Sequence, residues 1–176
     1  MRLVTIAVVL LLLAVTAVEA QNRYTEWAIS SGTDNDSMVA GTINQSGQIL
    51  GQGCWFSNRT CYWMIVLDIS CTKGIKGDVM VSADTGPQTL EVSCLEGTPT
   101  VGNTRYRYAF TNFEAIDRIV RTNTVVGFAS ALRSGEFQVV RFNLNGAPAV
   151  VDAMLAAAEK RAGEIPWGRG TRDKRP

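Results

Sequence analysis

The chain of 176 residues contains no histidine. Histidine is the most frequent general base in enzymes and a common zinc ligand, so a reaction or a metal site built on it is excluded. The four cysteines also include no C-x-x-C pair, the spacing that is typical of zinc knuckles and of thiol redox enzymes. The sequence therefore predicts no metal, no cofactor, and no chemistry based on histidine or a free thiol.

A strong charge of one sign is also missing. The chain has 17 basic and 16 acidic residues, which gives a formal net charge of +1. Proteins that bind nucleic acids usually carry a clear positive excess, so we predict no nucleic-acid partner. Charge is uneven only at residues 164–176, where basic side chains are mixed with glycine and proline. This composition predicts a basic, disordered tail.

Only one long hydrophobic run is present, LVTIAVVLLLLAVTAV at residues 3–18. Arg2 precedes it, and Val18 and Ala20 place small residues three before and one before a cleavage point ahead of Gln21. The run is shorter than the roughly 20 residues that a membrane-spanning helix needs. We therefore predict that residues 1–20 are a secretory signal peptide. The mature chain is then periplasmic or secreted, without stable membrane insertion.

Export to an oxidising compartment favours disulfide bonds, and the cysteine count is even. Alternating side chains in CYWMIVLDISC predict one strand with Cys61 and Cys71 at its ends, roughly 33 Å apart, which excludes a bond between them. A chain reversal around Ser57–Asn58 places Cys54 opposite Cys61. We therefore predict the disulfides Cys54–Cys61 and Cys71–Cys94.

In most of the remaining chain, short segments with alternating apolar and polar side chains are separated by turn residues. This pattern predicts an antiparallel β-sandwich over residues 21–163, a single domain of mainly β class. Its other predicted strands are residues 24–29, 37–43, 47–53, 78–83, 88–94, 105–110, 124–132 and 136–144. The apolar positions change phase between Phe137 and Phe142, so a β-bulge is expected near Val139–Val140.

Two segments have helical spacing instead. TNFEAIDRIVR begins with a capping box at Thr111 and Glu114, and it predicts one short helix. APAVVDAMLAAAEKRAG has proline in its first turn and Gly163 at its end, and it predicts a C-terminal α-helix. The apolar face of this helix should pack on the sheet. That face consists of Val150, Val151, Met154, Leu155 and Ala158.

The sequence singles out no catalytic residues. Paired carboxylates for a hydrolase could come from Asp68, Asp78, Asp84 and Glu91, but turns and solvent-facing strand positions ordinarily carry such acids. A carboxylate-based hydrolase is therefore kept as an alternative only.

Candidate binding residues are more distinct. Trp55, Arg59 and Tyr62 gather at the predicted hairpin, and aromatic side chains beside an arginine are typical of protein interfaces and sugar sites. Arg105 and Arg107 form a positive row on one strand face, which suits a carboxylate or phosphate. Core packing of the aromatic residues and a solvated strand face for the arginines are the structural alternatives.

These features together resemble a known group. Trp27, Cys54, CYWMIVLDISC, LEVSC and GFASALRSGEFQVVRFNLNGAPAVVDAM make the region from Trp27 to Met154 similar to small periplasmic proteins of Gram-negative bacteria. They are the invasion-associated locus B group and accessory proteins linked to type VI secretion. The resemblance implies a β-sandwich, an envelope location and no known catalytic residues.

We therefore predict a non-catalytic periplasmic binding or accessory module that recognises a protein or another envelope partner, such as a secretion-system protein. An inhibitor or immunity-type protein that blocks an envelope hydrolase is the first alternative.

Overall fold

The structure, a computed structural model, describes residues 27–32, 35–100, 103–132, 134–162 and 168–169. The predicted signal peptide, Gly163 and most of the predicted tail lie outside these residues. Two residues of the tail, Gly168–Arg169, form a short strand, β10, which runs parallel to Thr60 and Cys61.

Nine further strands and two helices make up the described chain. The helices are α1 (Phe113–Thr122) and α2 (Ala147–Ala162). The strands are β1 (Ala28–Ser31), β2 (Ser37–Ile43), β3 (Ile49–Trp55), β4 (Thr60–Leu67), β5 (Lys76–Ala83), β6 (Gly86–Thr100), β7 (Asn103–Phe110), β8 (Val125–Ala131) and β9 (Phe137–Asn143). The mainly β class with one short helix and one C-terminal helix is confirmed.

The nine strands form one continuous antiparallel sheet in the order β1-β2-β3-β4-β7-β6-β5-β8-β9. Four consecutive strands make the first half, and β4 then pairs with β7 rather than with β5. The sheet curls so that its two ends approach each other. The Trp27 indole donates a hydrogen bond to the Asn143 carbonyl at 2.9 Å, across 116 positions of sequence.

The core fills the inside of the curled sheet. On β4 the inward residues are Trp63, Ile65 and Leu67, as the alternation predicts, and all three are buried. Phe128 contacts Phe142 with 6.1 Å between ring centroids in the second half of the sheet. Helix α2 covers the first half of the sheet, where it contacts β1, β2 and β3. Its predicted apolar face is confirmed, with three residues buried and two partly buried: Val151, Met154, Ala158, Val150 and Leu155.

Both predicted disulfides are confirmed. Cys54 lies directly opposite Cys61 in the β3–β4 ladder, with 4.0 Å between their Cα atoms. Cys71 is bonded to Cys94, with 6.0 Å between Cα atoms. No described cysteine is free. The first bond therefore closes one hairpin, and the second ties the segment after β4 to β6.

Three local predictions are wrong. The strand predicted to run from Cys61 to Cys71 ends at Leu67, so Cys71 lies in the segment after β4. Helix α1 is capped by Asn112, whose side-chain oxygen accepts a hydrogen bond from the Ala115 N–H at 3.0 Å. Thr111 instead donates from its hydroxyl to the Glu91 carbonyl at 3.2 Å, so the chain enters the helix one residue later than predicted.

The predicted bulge in β9 is absent from the described structure. Strands β8 and β9 pair without interruption from Val125 opposite Asn143 to Ala131 opposite Phe137. The change of phase has another cause: Phe137 points to the outer face of the sheet, and Phe142 points to the core. A register shift is found instead in β6, between Cys94 and Glu96.

Candidate functional site

The β3–β4 hairpin is held on its inner face and at its tip. The Cys54–Cys61 disulfide closes it on the inner side, where both cysteines are buried. At the tip, the main-chain N–H groups of Phe56 and Ser57 donate to Asp36 at 2.8 and 2.9 Å. Arg59 closes the turn in the left-handed backbone region, with φ of 51°. The hairpin therefore presents its outer face in one defined arrangement.

An aromatic pair lies on that outer face. Side chains alternate along a strand, so the neighbours of the buried cysteines, Trp55 and Tyr62, point outward. Their rings are stacked with 4.2 Å between centroids and 2° between planes, and both remain partly exposed. The Trp55 ring lies over Gly53, where an added Cβ would come within 2.6 Å of the ring. Glycine at this position therefore lets the indole lie flat on the sheet.

The two predicted arginines lie on the same outer face but farther along it. Arg107 pairs with Val66 of β4, four residues beyond Tyr62 and so about 13 Å from the aromatic pair. Its guanidinium contacts Glu96 at 2.9 Å. The structure thus brings Trp55 and Tyr62 together and leaves Arg107 at a distance, engaged in an ion pair.

Arg105 has a structural contact of its own. Its guanidinium donates to the Gly47 carbonyl in the turn between β2 and β3, and its Nε lies 3.6 Å from Asp68. Gly47 has φ of +78°, and the guanidinium occupies the space that a side chain there would need. Arg105 therefore anchors the β2–β3 turn to β7.

A second exposed surface was not predicted from the sequence. The outer faces of β5, β8 and β9 carry four large apolar side chains that are about half exposed: Met80 at 49%, Val125 at 44%, Phe137 at 58% and Val139 at 53%. A depression of about 440 Å³ lies over this surface. The sequence did contain a signal for this surface. The apolar positions change phase after Phe137 because Phe137 is an outward apolar residue, and not because the strand is bulged.

A groove of about 580 Å³ separates β9 from the β2–β3 turn. The turn forms one wall and is held by Asn44, whose side-chain amide donates to Gln48 at 2.6 Å. On the β9 wall, the Gln138 side-chain oxygen is buried and has no hydrogen-bond partner among the described residues. Arg141 is the one charged residue among the described residues that line the groove. The groove is therefore rich in neutral hydrogen-bonding groups.

Two of the candidate carboxylates, Asp84 and Glu91, have lowered pKa values. Hydrogen bonds from the main chain and then the hydroxyl of Thr124 lower the pKa of Asp84. A hydrogen bond from Lys76 is the largest cause that lowers the pKa of Glu91. A hydrolase that uses an acid catalyst needs a raised carboxyl pKa, and both of these shifts have the opposite sign.

In the part of the chain that the structure describes, no three cysteine, aspartate or glutamate side chains come together as metal ligands. Neither α1 nor α2 has the length and apolar character to cross a membrane.

Comparison with known proteins identifies one similar solved structure. No protein-family model matches the chain, and no curated protein is similar to it in sequence. The crystal structure of invasion associated protein B from Bartonella henselae is similar, with a TM-score of 0.50 and 14% sequence identity. The match covers 77% of this chain and 96% of that one, so the likeness extends over most of the fold.

Proposed function

We propose that this protein is an exported, non-catalytic binding module that recognises a protein partner in the bacterial envelope. The observation that carries the proposal is the stacked pair of Trp55 and Tyr62 on an exposed sheet face. The likeness to an invasion-associated protein and the two disulfides are compatible with an exported accessory role. A link to a secretion system belongs to the same proposal.

The proposal is supported by the preorganisation of the β3–β4 hairpin, whose candidate binding residues are ordered before a partner binds. Tryptophan, tyrosine and arginine are the residue types that dominate the binding energy of protein interfaces. A surface that is already ordered loses less entropy on binding. The disulfide and the contacts with Asp36 hold Trp55, Arg59 and Tyr62 before any partner arrives. Arg105 and Arg107 contribute less in this proposal, because each already contacts an acid.

The proposal is tested by affinity capture from envelope extract with three proteins. They are the natural chain, the double variant Trp55→Ala with Tyr62→Ala, and the control Ile75→Ala, which truncates an exposed apolar side chain in the loop between β4 and β5. A specific partner should be recovered with the natural chain and the control, and lost with the double variant. Equal recovery with all three proteins contradicts the proposal.

The identity of the captured protein separates the remaining alternatives. A single lytic enzyme whose activity falls on binding indicates an inhibitor or immunity-type protein. A secretion or envelope complex indicates an accessory module. Hydrolysis of an envelope polymer by the purified protein itself, abolished by Asp84→Asn or Glu91→Gln, would favour the carboxylate-based hydrolase instead.

A further inference from the structure

Among the described strands, β9 lies at one end of the sheet, and no described strand pairs with its outer edge. Beside the β8–β9 ladder, the Leu144 N–H donates to the Thr124 carbonyl and the Leu132 N–H donates to the Glu136 carbonyl, both at 2.8 Å. In an antiparallel ladder such pairs recur at every second residue, so the even positions of β9 face β8 and the odd positions face away. The Asn143 carbonyl follows this rule, because it accepts from Trp27 instead of from β8.

The open edge therefore consists of Phe137, Val139 and Arg141. Their main-chain N–H and C=O groups point away from β8, and Phe137 and Val139 are more than half exposed. Natural edge strands are usually short, bulged, or protected by lysine or proline. Strand β9 has seven residues in unbroken register and no lysine or proline. At the other end of the sheet, β1 has only four residues.

The groove lies where an added strand would lie. It runs between this edge and the β2–β3 turn, so one wall offers main-chain groups and the other offers side-chain amides. Gln138, whose buried oxygen has no partner among the described residues, faces the same space. An unsatisfied buried polar atom costs free energy, and a ligand that donates a hydrogen bond to it removes this cost.

We propose that the groove binds an extended peptide segment of a partner protein, which adds to the edge of β9 as a further strand. Backbone pairing supplies the affinity in this mode of recognition, and pockets for alternate side chains supply the specificity. Phe137 and Val139 favour apolar residues at every second position of the peptide. Arg141, the one charge among the described lining residues, favours a segment that is neutral or carries an acid. This site is separate from the Trp55 and Tyr62 pair, so it does not depend on the function proposed above.

A partner peptide fits the site better than a second copy of this chain. Pairing of two β9 edges would bring a whole domain against the β2–β3 turn, which Arg105 holds beside the groove. A single extended segment pairs with β9 at a distance of about 4.8 Å and brings no folded domain with it. The walls therefore select for a segment without a bulky domain at its side.

The probe for this proposal is a phage-displayed library of random linear peptides of about twelve residues. We expect the mature protein to select peptides in which apolar residues alternate. The selected peptide is then synthesised, and its affinity is measured for Val139→Pro and Val139→Thr. Proline removes an N–H that faces away from β8, so the ladder keeps its hydrogen bonds while the edge is blocked. The proline variant should bind at least about tenfold more weakly, and the threonine variant should stay within about threefold.

A second measurement does not depend on how the proline variant folds. Single N-methyl groups are placed along the synthetic peptide, and the affinity of each is measured for the unaltered protein. Loss of binding at every second position supports strand addition, because only alternate peptide N–H groups face β9. Uniform tolerance of N-methylation overturns the proposal, as does equal affinity for the valine, threonine and proline proteins.

Amide exchange identifies any other occupant. In the peptide-free protein the N–H groups of Phe137, Val139 and Arg141 should exchange quickly, and the peptide should slow them. Slow exchange that depends on protein concentration assigns the edge to a second copy. Slow exchange that disappears in a chain starting at Trp27 assigns it to the chain's own preceding residues. Either result overturns the proposal.

Discussion

The β3–β4 and β8–β9 hairpins have strands of similar length, but the aromatic residues on their outer faces differ in how far they are covered. Each pairs strands of seven or eight residues in unbroken register, and each has at least one aromatic side chain on its outer face. In the first, Trp55 and Tyr62 cover each other beside a disulfide. In the second, Phe137 is 58% exposed at an open edge. The comparison suggests that the first hairpin carries a preformed surface and the second a surface that an incoming strand completes.

The largest difference in stability should be found between variants on the two faces of β9. Phe142 is buried in the core, so Phe142→Ala should lower the free energy of unfolding by about 3–5 kcal/mol. Phe137→Ala should change it by less than about 0.5 kcal/mol, because the ring is on the outer face. Urea unfolding of both variants measures the difference. Similar losses for the two would mean that β9 is bulged or shifted after all.

The two disulfides should differ in how much they stabilise the fold. Their sequence separations are 23 for Cys71–Cys94 and 7 for Cys54–Cys61. The chain-entropy estimate is about 3.4 kcal/mol for the larger ring and about 2.5 kcal/mol for the smaller one. The pair Cys71→Ser with Cys94→Ser should therefore lower the melting temperature more than Cys54→Ser with Cys61→Ser.

Partner binding should show the reverse order. Loss of the Cys54–Cys61 bond frees the hairpin that holds Trp55 and Tyr62, so the captured partner should bind this variant more weakly than the variant without Cys71–Cys94. Binding constants measured below both melting temperatures separate this effect from stability. Equal affinity of the two variants would argue that the aromatic pair needs no covalent support.

A smaller difference in stability should distinguish alanine variants in the turns that precede β3 and β9. Gly47 and Gly135 both have positive φ, so alanine at either position should cost about 1 kcal/mol in backbone strain. Only at Gly47 does the new Cβ also meet the Arg105 guanidinium, whereas at Gly135 no atom of the described residues beyond the adjacent ones lies within 4 Å of it. Gly47→Ala should therefore destabilise more than Gly135→Ala. In the background Arg105→Ala, the two glycine variants should cost the same, and a persistent difference would contradict the anchoring role of Arg105.

The smallest effect should appear only at alkaline pH. Burial is the largest cause that raises the pKa of Tyr108 to about 12, and its hydroxyl donates to the Ile69 carbonyl at 2.8 Å. The folded protein therefore keeps this proton where the unfolded chain loses it. The stabilisation is fully present below about pH 10, the ordinary pKa of tyrosine, and declines as pH rises through about 12. Tyr108→Phe should flatten this decline in denaturation curves recorded from pH 9 to 12. An unchanged slope would mean that other groups cause it.

Much of the first half of the sheet could be predicted because its signals are local. The alternation in residues 61–71 predicted an inward Trp63 and excluded a Cys61–Cys71 bond, and the turn residues predicted the Cys54–Cys61 register. The second half was harder. An outward Phe137 has the same sequence pattern as a bulge, and only the unbroken pairing with β8 distinguishes them.

The sequence by itself determined most strand and helix segments and the disulfide pairing, and it predicted export. Periodicity, turn chemistry and the hydrophobic run at residues 3–18 are properties of nearby residues. The tertiary structure alone decided that β4 pairs with β7 and β5 with β8, that Trp55 and Tyr62 stack outside the core, and that a groove opens beside β9. Alternation tells which side chains share a face. It does not tell which strands are neighbours or which face another part of the chain covers, since both depend on contacts between residues distant in sequence.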